Sequence, residues 1–478
     1  MPRPVRSPLA GRRRAAARIA LYGSLVLVAG LAVGLLAWLR PSLSLGQATD
    51  WIEQDFSGRR EVQLLREYIA IDTATGTGDQ LAGARWVESY LRGIGLDPVL
   101  ERVGEEANVW AVVEGRRREA IVLHHHVDVD PVPVDAQWEH PPFAGVIDGP
   151  WLYGRGAFDM KSIAVAQLEA VRGLVESGRT PELSVIVLAT TGEEVGSDLG
   201  TRWVLREHPE LVERMAYVLT EGGAVEATAP GQAKYWGTEV AQARPLRVAV
   251  CGGSREALER LGRDLVRELG ILGEPRLVPE VARVMARYGP TRDAEYLRDL
   301  LRDPEALLRD RAGFAELPAY VRWFFTDQIA PQGVHRQPDG TWELRLVALL
   351  LPGADPERSL AELLPPWLTA GFEVAVRDEG AASGGSPLDH PAFQAIDRFM
   401  ARERPDTVHG PLYLPYTLTD ARFFRAAGVP TYGFTPFNVL TPDVLRLRTR
   451  GSVNERIEVA SFVDGVELYR RLLAELTS

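Results

Sequence analysis

The chain has 478 residues, 46% of them hydrophobic and 25% charged, which fits a globular protein of two or three domains at roughly 150 residues each. A formal net charge of -11 argues against a nucleic-acid binder, since phosphate-backbone binding needs a basic face. The single cysteine, Cys251, lies beside Gly252 and Gly253; it excludes an intramolecular disulfide and reads as packing.

Arg3, Arg6, Arg12, Arg13, Arg14 and Arg18 precede an uncharged run from Ile19 to Leu39. As a helix that run reaches about 30 Å, enough to cross a bilayer. The arginine flank predicts a cytoplasmic tail over 1–18, a transmembrane helix over 19–39 and an extracytoplasmic body, in a bacterial inner membrane. A cleaved signal peptide is the rival reading, but its apolar region is usually only about 7–15 residues, and no clean small-x-small site follows here. Pro41 to Thr49 reads as a linker.

From Trp51 onward, helix and strand patterns alternate. Val62, Leu65, Tyr68 and Ile69 recur at helical spacing, and Leu81 to Arg92 predicts a second helix ended by Gly93 and Gly95. Apolar, β-rich runs cover Ala120 to Leu123, Ser184 to Ala189 and Ala216 to Leu219. Ile163, Ala166, Ala170 and Leu174 mark a helix between the first two. Alternation of this kind predicts an α/β domain with a mostly parallel sheet flanked by helices. Near Ala241 the pattern changes. Leu246–Val250, Trp342–Leu351 and Phe372–Val376 read as strands. Arg255–Leu269, much of Pro275–Trp323, and Glu357–Leu368 read as helices. The expectation is a main α/β domain built from 50–240 and 380–478, interrupted by an inserted α+β unit over 241–379.

Four polar islands sit at the ends of these runs: His126-Val127-Asp128, Gly154 through Lys161, Thr191-Gly192-Glu193-Glu194, and Thr220-Glu221-Gly222-Gly223. Charged groups at strand ends are costly to bury unless they are paired or bind an ion, and ligands of open α/β sheets bind at the carboxyl ends of the strands. His126 and Asp128 stand two apart and share a face if the strand continues, so Asp128 can orient the imidazole through the nitrogen not used for metal. His124 shares that face and is the reserve candidate, while His125 points away. Asp159 alone reads as a helix cap and Glu193-Glu194 as a solvated turn. Together with Glu221 they offer metal ligands and a free general base.

The same segments carry a resemblance. His126-Val127-Asp128, Trp138 through Phe143, Leu152 through Lys161, Gly192-Glu193-Glu194 and Glu221-Gly222-Gly223 resemble the co-catalytic zinc aminoacylase and carboxypeptidase family. They are similar to its carboxypeptidase S-like branch, which includes N-fatty-acyl-amino-acid hydrolases. Thr419-Asp420-Ala421-Arg422, Gly428-Val429-Pro430 and Asn454-Glu455-Arg456 resemble the family's closing segments. The resemblance implies a zinc-exopeptidase-like catalytic domain with a ferredoxin-like lid and dimerisation domain inserted, and a homodimer formed through that insert. It implies that zinc is bound by His126, Asp159, Glu194 and Glu221, with Asp159 bridging two ions. Asp128 would orient His126, and Glu193 would be the general base. The substrate implied is a small peptide or an N-acyl amino acid.

Two histidines of the family pattern are missing. The stretch before Asn454 reads Arg448-Thr449-Arg450-Gly451-Ser452-Val453, and the Gly-Gly-His-Ser type motif of the insert reads Gly252-Gly253-Ser254-Arg255. The family's arginine before the Pro-Gly end of a later strand is missing too; Leu349-Leu350-Leu351 stands there. His409 and His335 are the candidate substitutes. The expectations are therefore a membrane-anchored hydrolase holding one or two zinc ions, or a catalytically impaired relative that binds a ligand or serves as a scaffold.

Overall fold

The computed structural model describes residues 55–268, 273–288, 301–378, 380–381, 384–440 and 452–478. The expected membrane helix over 19–39 and the stretch Arg448 to Gly451 lie outside them. Among the described residues no helix is long and apolar enough to cross a membrane.

Helix Arg60–Ile69 buries Val62, Leu65, Tyr68 and Ile69, as its periodicity predicts. Helix Gln80–Gly93 is capped by Asp79, whose carboxylate accepts the Ala82 N–H at 2.8 Å. Strands β1 (Val99–Val103), β2 (Glu106–Val113) and β3 (Arg117–His126) follow, then a small hairpin of β4 (Val146–Asp148) and β5 (Trp151–Tyr153). Helix Lys161–Glu176 leads to β6 (Leu183–Thr190). Next come β7 (Met215–Thr220), β8 (Ala224–Ala229) and β9 (Gln232–Gln242). After β10 (Arg244–Cys251) and helix Arg255–Glu268 come β11 (Gln328–Arg336), β12 (Trp342–Leu350) and β13 (Glu373–Asp378). The chain closes with β14 (Val408–Leu414), β15 (Thr431–Gly433), β16 (Asn438–Leu440), β17 (Arg456–Glu458) and helix Val459–Leu476.

Ten strands form one sheet in the order β1-β2-β6-β3-β7-β15-β9-β8-β16, with β14 added on β9. Strands β6, β3, β7 and β15 run parallel, while β1, β2 and the β8–β9 hairpin join antiparallel. The sheet is thus mixed: among the described residues five of its nine pairings are parallel, with the parallel block at its centre. Central strands are buried on both faces. In β3 everything from Ala120 to His126 is buried, so the strand extends through the histidines and carries them to its carboxyl end. Helices Lys161–Glu176 and Val459–Leu476 pack on this sheet's apolar face around Leu168, Val171, Phe462 and Leu472.

A second sheet, β11-β12-β10-β13, is antiparallel throughout and lies within the residues read as an insert. It has its own core, in which Leu246, Val248 and Val250 meet Leu258, Leu261 and Leu265 of helix Arg255–Glu268. The helical reading of Pro275–Trp323 resolves into short pieces among the described residues: Pro279–Tyr288, Pro304–Arg309, Arg311–Glu316 and Ala319–Arg322. Asp303 and Asp310 each cap a new start, accepting the N–H of Ala306 and Gly313. The Glu357–Leu368 helix likewise divides, into Pro356–Leu363 and Pro366–Thr369, because Pro365-Pro366 cannot continue it.

Candidate metal centre

His126 ends β3 with its side chain fully buried. Its Nδ1 donates to the backbone carbonyl of Asp128 at 2.8 Å. That bond selects the tautomer, so a neutral ring keeps its lone pair on Nε2. Nε2 faces two carboxylates, Asp159 Oδ1 at 3.1 Å and Glu221 Oε1 at 3.7 Å. Glu221 follows the last residue of β7, and the passage of β15 behind it depends on Gly433. A Cβ there would stand 2.2 Å from the Glu221 carbonyl oxygen.

The acidic pair leaves β6 through Gly192, whose φ of 72° is left-handed and favours glycine. A short 3₁₀ turn follows over Glu193–Val195. The Asp128 carboxylate holds this turn: Oδ1 accepts the Glu193 N–H at 3.1 Å and Oδ2 accepts the Glu194 N–H at 3.0 Å. Here the structure corrects the expected geometry. Asp128 reaches His126 through its main-chain oxygen, its carboxylate standing 3.7 Å from Nδ1. The side chain is spent on the acidic turn instead. One residue thus places both an imidazole and two glutamates.

On the far side of the turn Asp420 is fully buried and accepts from the hydroxyls of Ser197 and Thr201, the latter at 2.6 Å. Arg422 approaches Glu193 Oε1 to 3.7 Å. Neither residue carries a role in the sequence reading, although the segment Thr419 through Arg422 stands out there.

Electrostatics mark the cluster as short of positive charge. Burial, then the charges of Asp420 and Glu221, hold Glu193 well above the usual carboxylate range, against His126 and Arg422. Burial, then Asp159, Asp130 and Glu193, do the same to Glu194. Burial and the facing Asp159 carboxylate push Glu221 up to about 8. Burial disfavours a charged His126, yet Glu221 and Asp159 outweigh it and raise the imidazole well above its ordinary value. Convergent carboxylates around one imidazole Nε2 make a donor set suited to a borderline divalent cation such as zinc. One ligand atom each from His126, Glu193 and Glu221 lies within 4.8 Å of the others. The residues present therefore fit a metal. Of the adjacent glutamates it is Glu193, read as the general base, that enters this tight group. Glu194 lies beside Asp159 and Asp130.

The other histidines are placed elsewhere. His124 bonds the hydroxyls of Thr220 and Thr190, each at 2.9 Å, and Thr201 at 3.0 Å; it is a packed core group. His125 turns to the opposite face and meets Gln167 Oε1 at 2.9 Å, and burial pulls its pKa down to about 4. His409 pairs with Asp397 at 2.9 Å, and His335 is a surface group of the second sheet near Gln332. Neither joins the cluster as a substitute ligand.

A residue that the sequence reading leaves without a role completes the Asp159 side. Glu455, only 2% exposed, accepts the N–H groups of Gly156, Phe158 and Asp159 and pairs with Arg155. Beneath it Lys161 is fully buried, donating to the carbonyls of Ile71 at 2.7 Å and Tyr68 at 3.0 Å.

A mixed sheet that presents a histidine and carboxylates at its parallel strand ends is an arrangement a metal-dependent hydrolase can use. The model of peptidase family M20/M25/M40 matches residues 122–475. The chain belongs to that family, as an aminoacylase- and carboxypeptidase-like metallopeptidase. It is 26% identical to aminoacylase-1 of Sus scrofa over 444 residues, covering 87% of this chain and 95% of that protein. It is 37% identical to the succinyl-diaminopimelate desuccinylase of Alkalilimnicola ehrlichii over 129 residues, 27% of this chain and 34% of that one. The fold matches the M20 family metallo-carboxypeptidase Sso-CP2 from Sulfolobus solfataricus, with a TM-score of 0.64 at 17% identity over 87% of this chain and 98% of that one. It matches human carnosine dipeptidase 1 with a TM-score of 0.64 at 15% identity over 92% and 100%. Nothing in these comparisons supports a non-catalytic scaffold.

Proposed function

We propose that this hydrolase cleaves the amide bond of N-acyl amino acids or small peptides at the His126 centre, in the manner of the carboxypeptidase S-like branch. The observation that carries the reading is His126 Nε2 facing Asp159 and Glu221 while a Glu193 oxygen shares the same small volume. His126, Asp159 and Glu221 would hold one zinc ion, and Asp159 with Glu194 a second. Zinc bound there supplies Lewis acidity for the scissile carbonyl and a lowered pKa for the attacking water. Glu193 accepts the proton of that water and returns it to the leaving nitrogen, so the carboxylate is regenerated with each turnover. Asp128 keeps imidazole and base in register through its two separate bonds.

The substrate class is supported by likeness to aminoacylase-1 along nearly all of that protein's length. The reading extends to a membrane anchor over 19–39 with an extracytoplasmic body, supported by the arginine flank. It also takes 241–379 as an inserted unit through which two copies pair, supported by the separate core of the second sheet. The test is turnover of N-acyl amino acids and dipeptides by purified full-length protein loaded with zinc, beside Glu193→Gln. Wild-type turnover no faster than that control would sink the hydrolytic assignment. Recovery of the protein in the soluble fraction, cut after Ala48, would sink the anchor.

A further inference from the structure

Asp159 sits at the end of the loop Gly154–Asp159, and its side chain is half exposed at 51%. The carboxylate therefore has little packing of its own to hold it. What is fixed is the backbone behind it. Glu455 Oε1 accepts the N–H of Phe158 at 2.8 Å and of Asp159 itself at 3.0 Å. Its Oε2 accepts the Gly156 N–H at 3.0 Å and the Arg155 guanidinium at 2.8 Å. The Glu455 carbonyl also takes the Gly154 N–H at 2.9 Å. Arg155 clamps the same strand from the other direction through the Ser452 carbonyl at 2.6 Å. Three amides and a guanidinium converging on one buried carboxylate make a strong, directional tether, because hydrogen bonds to a charged acceptor are about twice as strong as neutral ones.

We propose that Glu455 is a positioning residue for the metal centre: its carboxylate, across 296 positions of sequence, aims Asp159 at His126 Nε2 and so sets how tightly the cluster binds a divalent cation. This rests on the reading of Asp159 as a ligand. Glu455 touches neither metal nor substrate. It acts by denying the loop any other arrangement of its amides, which would turn the Asp159 side chain out of the cluster. Arg155 steadies the Glu455 carboxylate through Oε2 and its charge reaches Asp159, but the amides of Phe158 and Asp159 are held by Oε1, so its share in the aim is the smaller one.

The experiment measures Co2+ binding to the metal-free full-length protein by competition with a chromophoric chelator, together with the visible spectrum of the bound Co2+. Four proteins are compared: wild type, Glu455→Gln, Arg155→Met and Asp159→Asn, each checked for a cooperative thermal transition. Glu455→Gln keeps the volume but must turn its amide NH2 toward one set of donors. It is expected to weaken Co2+ binding by about 10- to 100-fold and to alter the spectrum. Arg155→Met, which leaves the three amide bonds to Glu455 in place, is expected to lose thermal stability and to weaken Co2+ binding less than Glu455→Gln. If Asp159→Asn weakens binding while Glu455→Gln does not, the positioning role is overturned and the ligand reading stands. If Asp159→Asn itself binds like wild type, the ligand reading falls and takes this proposal with it. Should Arg155→Met weaken Co2+ binding as much as Glu455→Gln, Glu455 is only part of a structural ion pair, and the proposal fails.

Discussion

The two sides of the metal centre are held by the same device drawn from different distances along the chain. On the His126 side the carboxylate of Asp128, two residues away, accepts the N–H groups of Glu193 and Glu194. On the Asp159 side the carboxylate of Glu455 accepts those of Phe158 and Asp159, and it comes from near the carboxyl end. In each case a buried carboxylate fixes backbone amides, and through them it aims a second carboxylate. The first hold needs only the pairing of adjacent parallel strands. The second needs the closing segment to return and pair β17 with β5. The first is therefore part of the central sheet, and the second is an annex whose integrity depends on long-range closure.

Substitutions can separate the holds from the chemistry. The largest effect is expected from Glu193→Gln, which should lower kcat by about 10²- to 10⁴-fold while leaving metal content intact. Metal lost along with activity would place Glu193 among the ligands. Next in size is Arg425→Met, outside both holds. Arg425 makes a bidentate pair with Glu239, at 2.8 and 2.6 Å, exposed only 3% and 0%. Stranding that buried carboxylate should cost about 3–5 kcal/mol in denaturant unfolding, with the metal affinity of the folded fraction unchanged. Asp128→Asn comes third and should weaken metal affinity by about 10- to 100-fold. It should also slow turnover more than any change at Glu455, since Asp128 alone places both ligand and base. Equal turnover defects at the two positions would break the distinction drawn between them.

A pH dependence tests what lies under the Asp159 loop. Burial pulls the Lys161 ammonium down to about 7, against the attraction of Asp72 and Glu455. Between that value and its ordinary pKa the unfolded chain binds a proton that the folded chain does not, so this term favours folding more as pH rises. It is complete above the unfolded pKa and lost as pH falls to about 7. The unfolding free energy of Lys161→Met should then climb less steeply than wild type between pH 7 and pH 9. Parallel curves would mean that Lys161 keeps its charge inside. The smallest effect belongs to the second sheet. Glu343→Gln removes partners of Arg345 and Arg377, both more than half exposed. It should shift stability by no more than about 1 kcal/mol, with metal affinity untouched.

The legibility of the sequence follows the same division. His126, Asp128, Glu193, Glu194 and Glu221 stand beside apolar β-rich runs, so their strand-end positions are legible in the sequence. Central parallel strands announce themselves because both faces are buried. Strand β11 was not visible, since Pro331 and Gly333 interrupt it at a bulge and much of it is exposed. The antiparallel additions, β1–β2 at one side and the β8–β9 hairpin at the other, are not read from the sequence either. Glu455 was readable only as part of Asn454-Glu455-Arg456. Apart from Arg155, its partners are backbone amides, which leave no mark in a sequence. The tilt of Asp128 toward the acidic turn was equally hidden, because spacing predicts a shared face but not which atom of a residue does the holding.

The lateness of Glu455 in the chain has a consequence for biosynthesis. Synthesis proceeds from the amino end, and domains generally fold as units as they emerge. A growing polypeptide displays His126, Asp128 and Asp159 well before it owns the carboxylate that tethers the Asp159 loop. On the reading of Asp159 as a ligand, its side of the centre is ordered only once β17 docks on β5. A chain that has not yet made Glu455 would then carry His126 and Asp159 without the tether of the Asp159 loop.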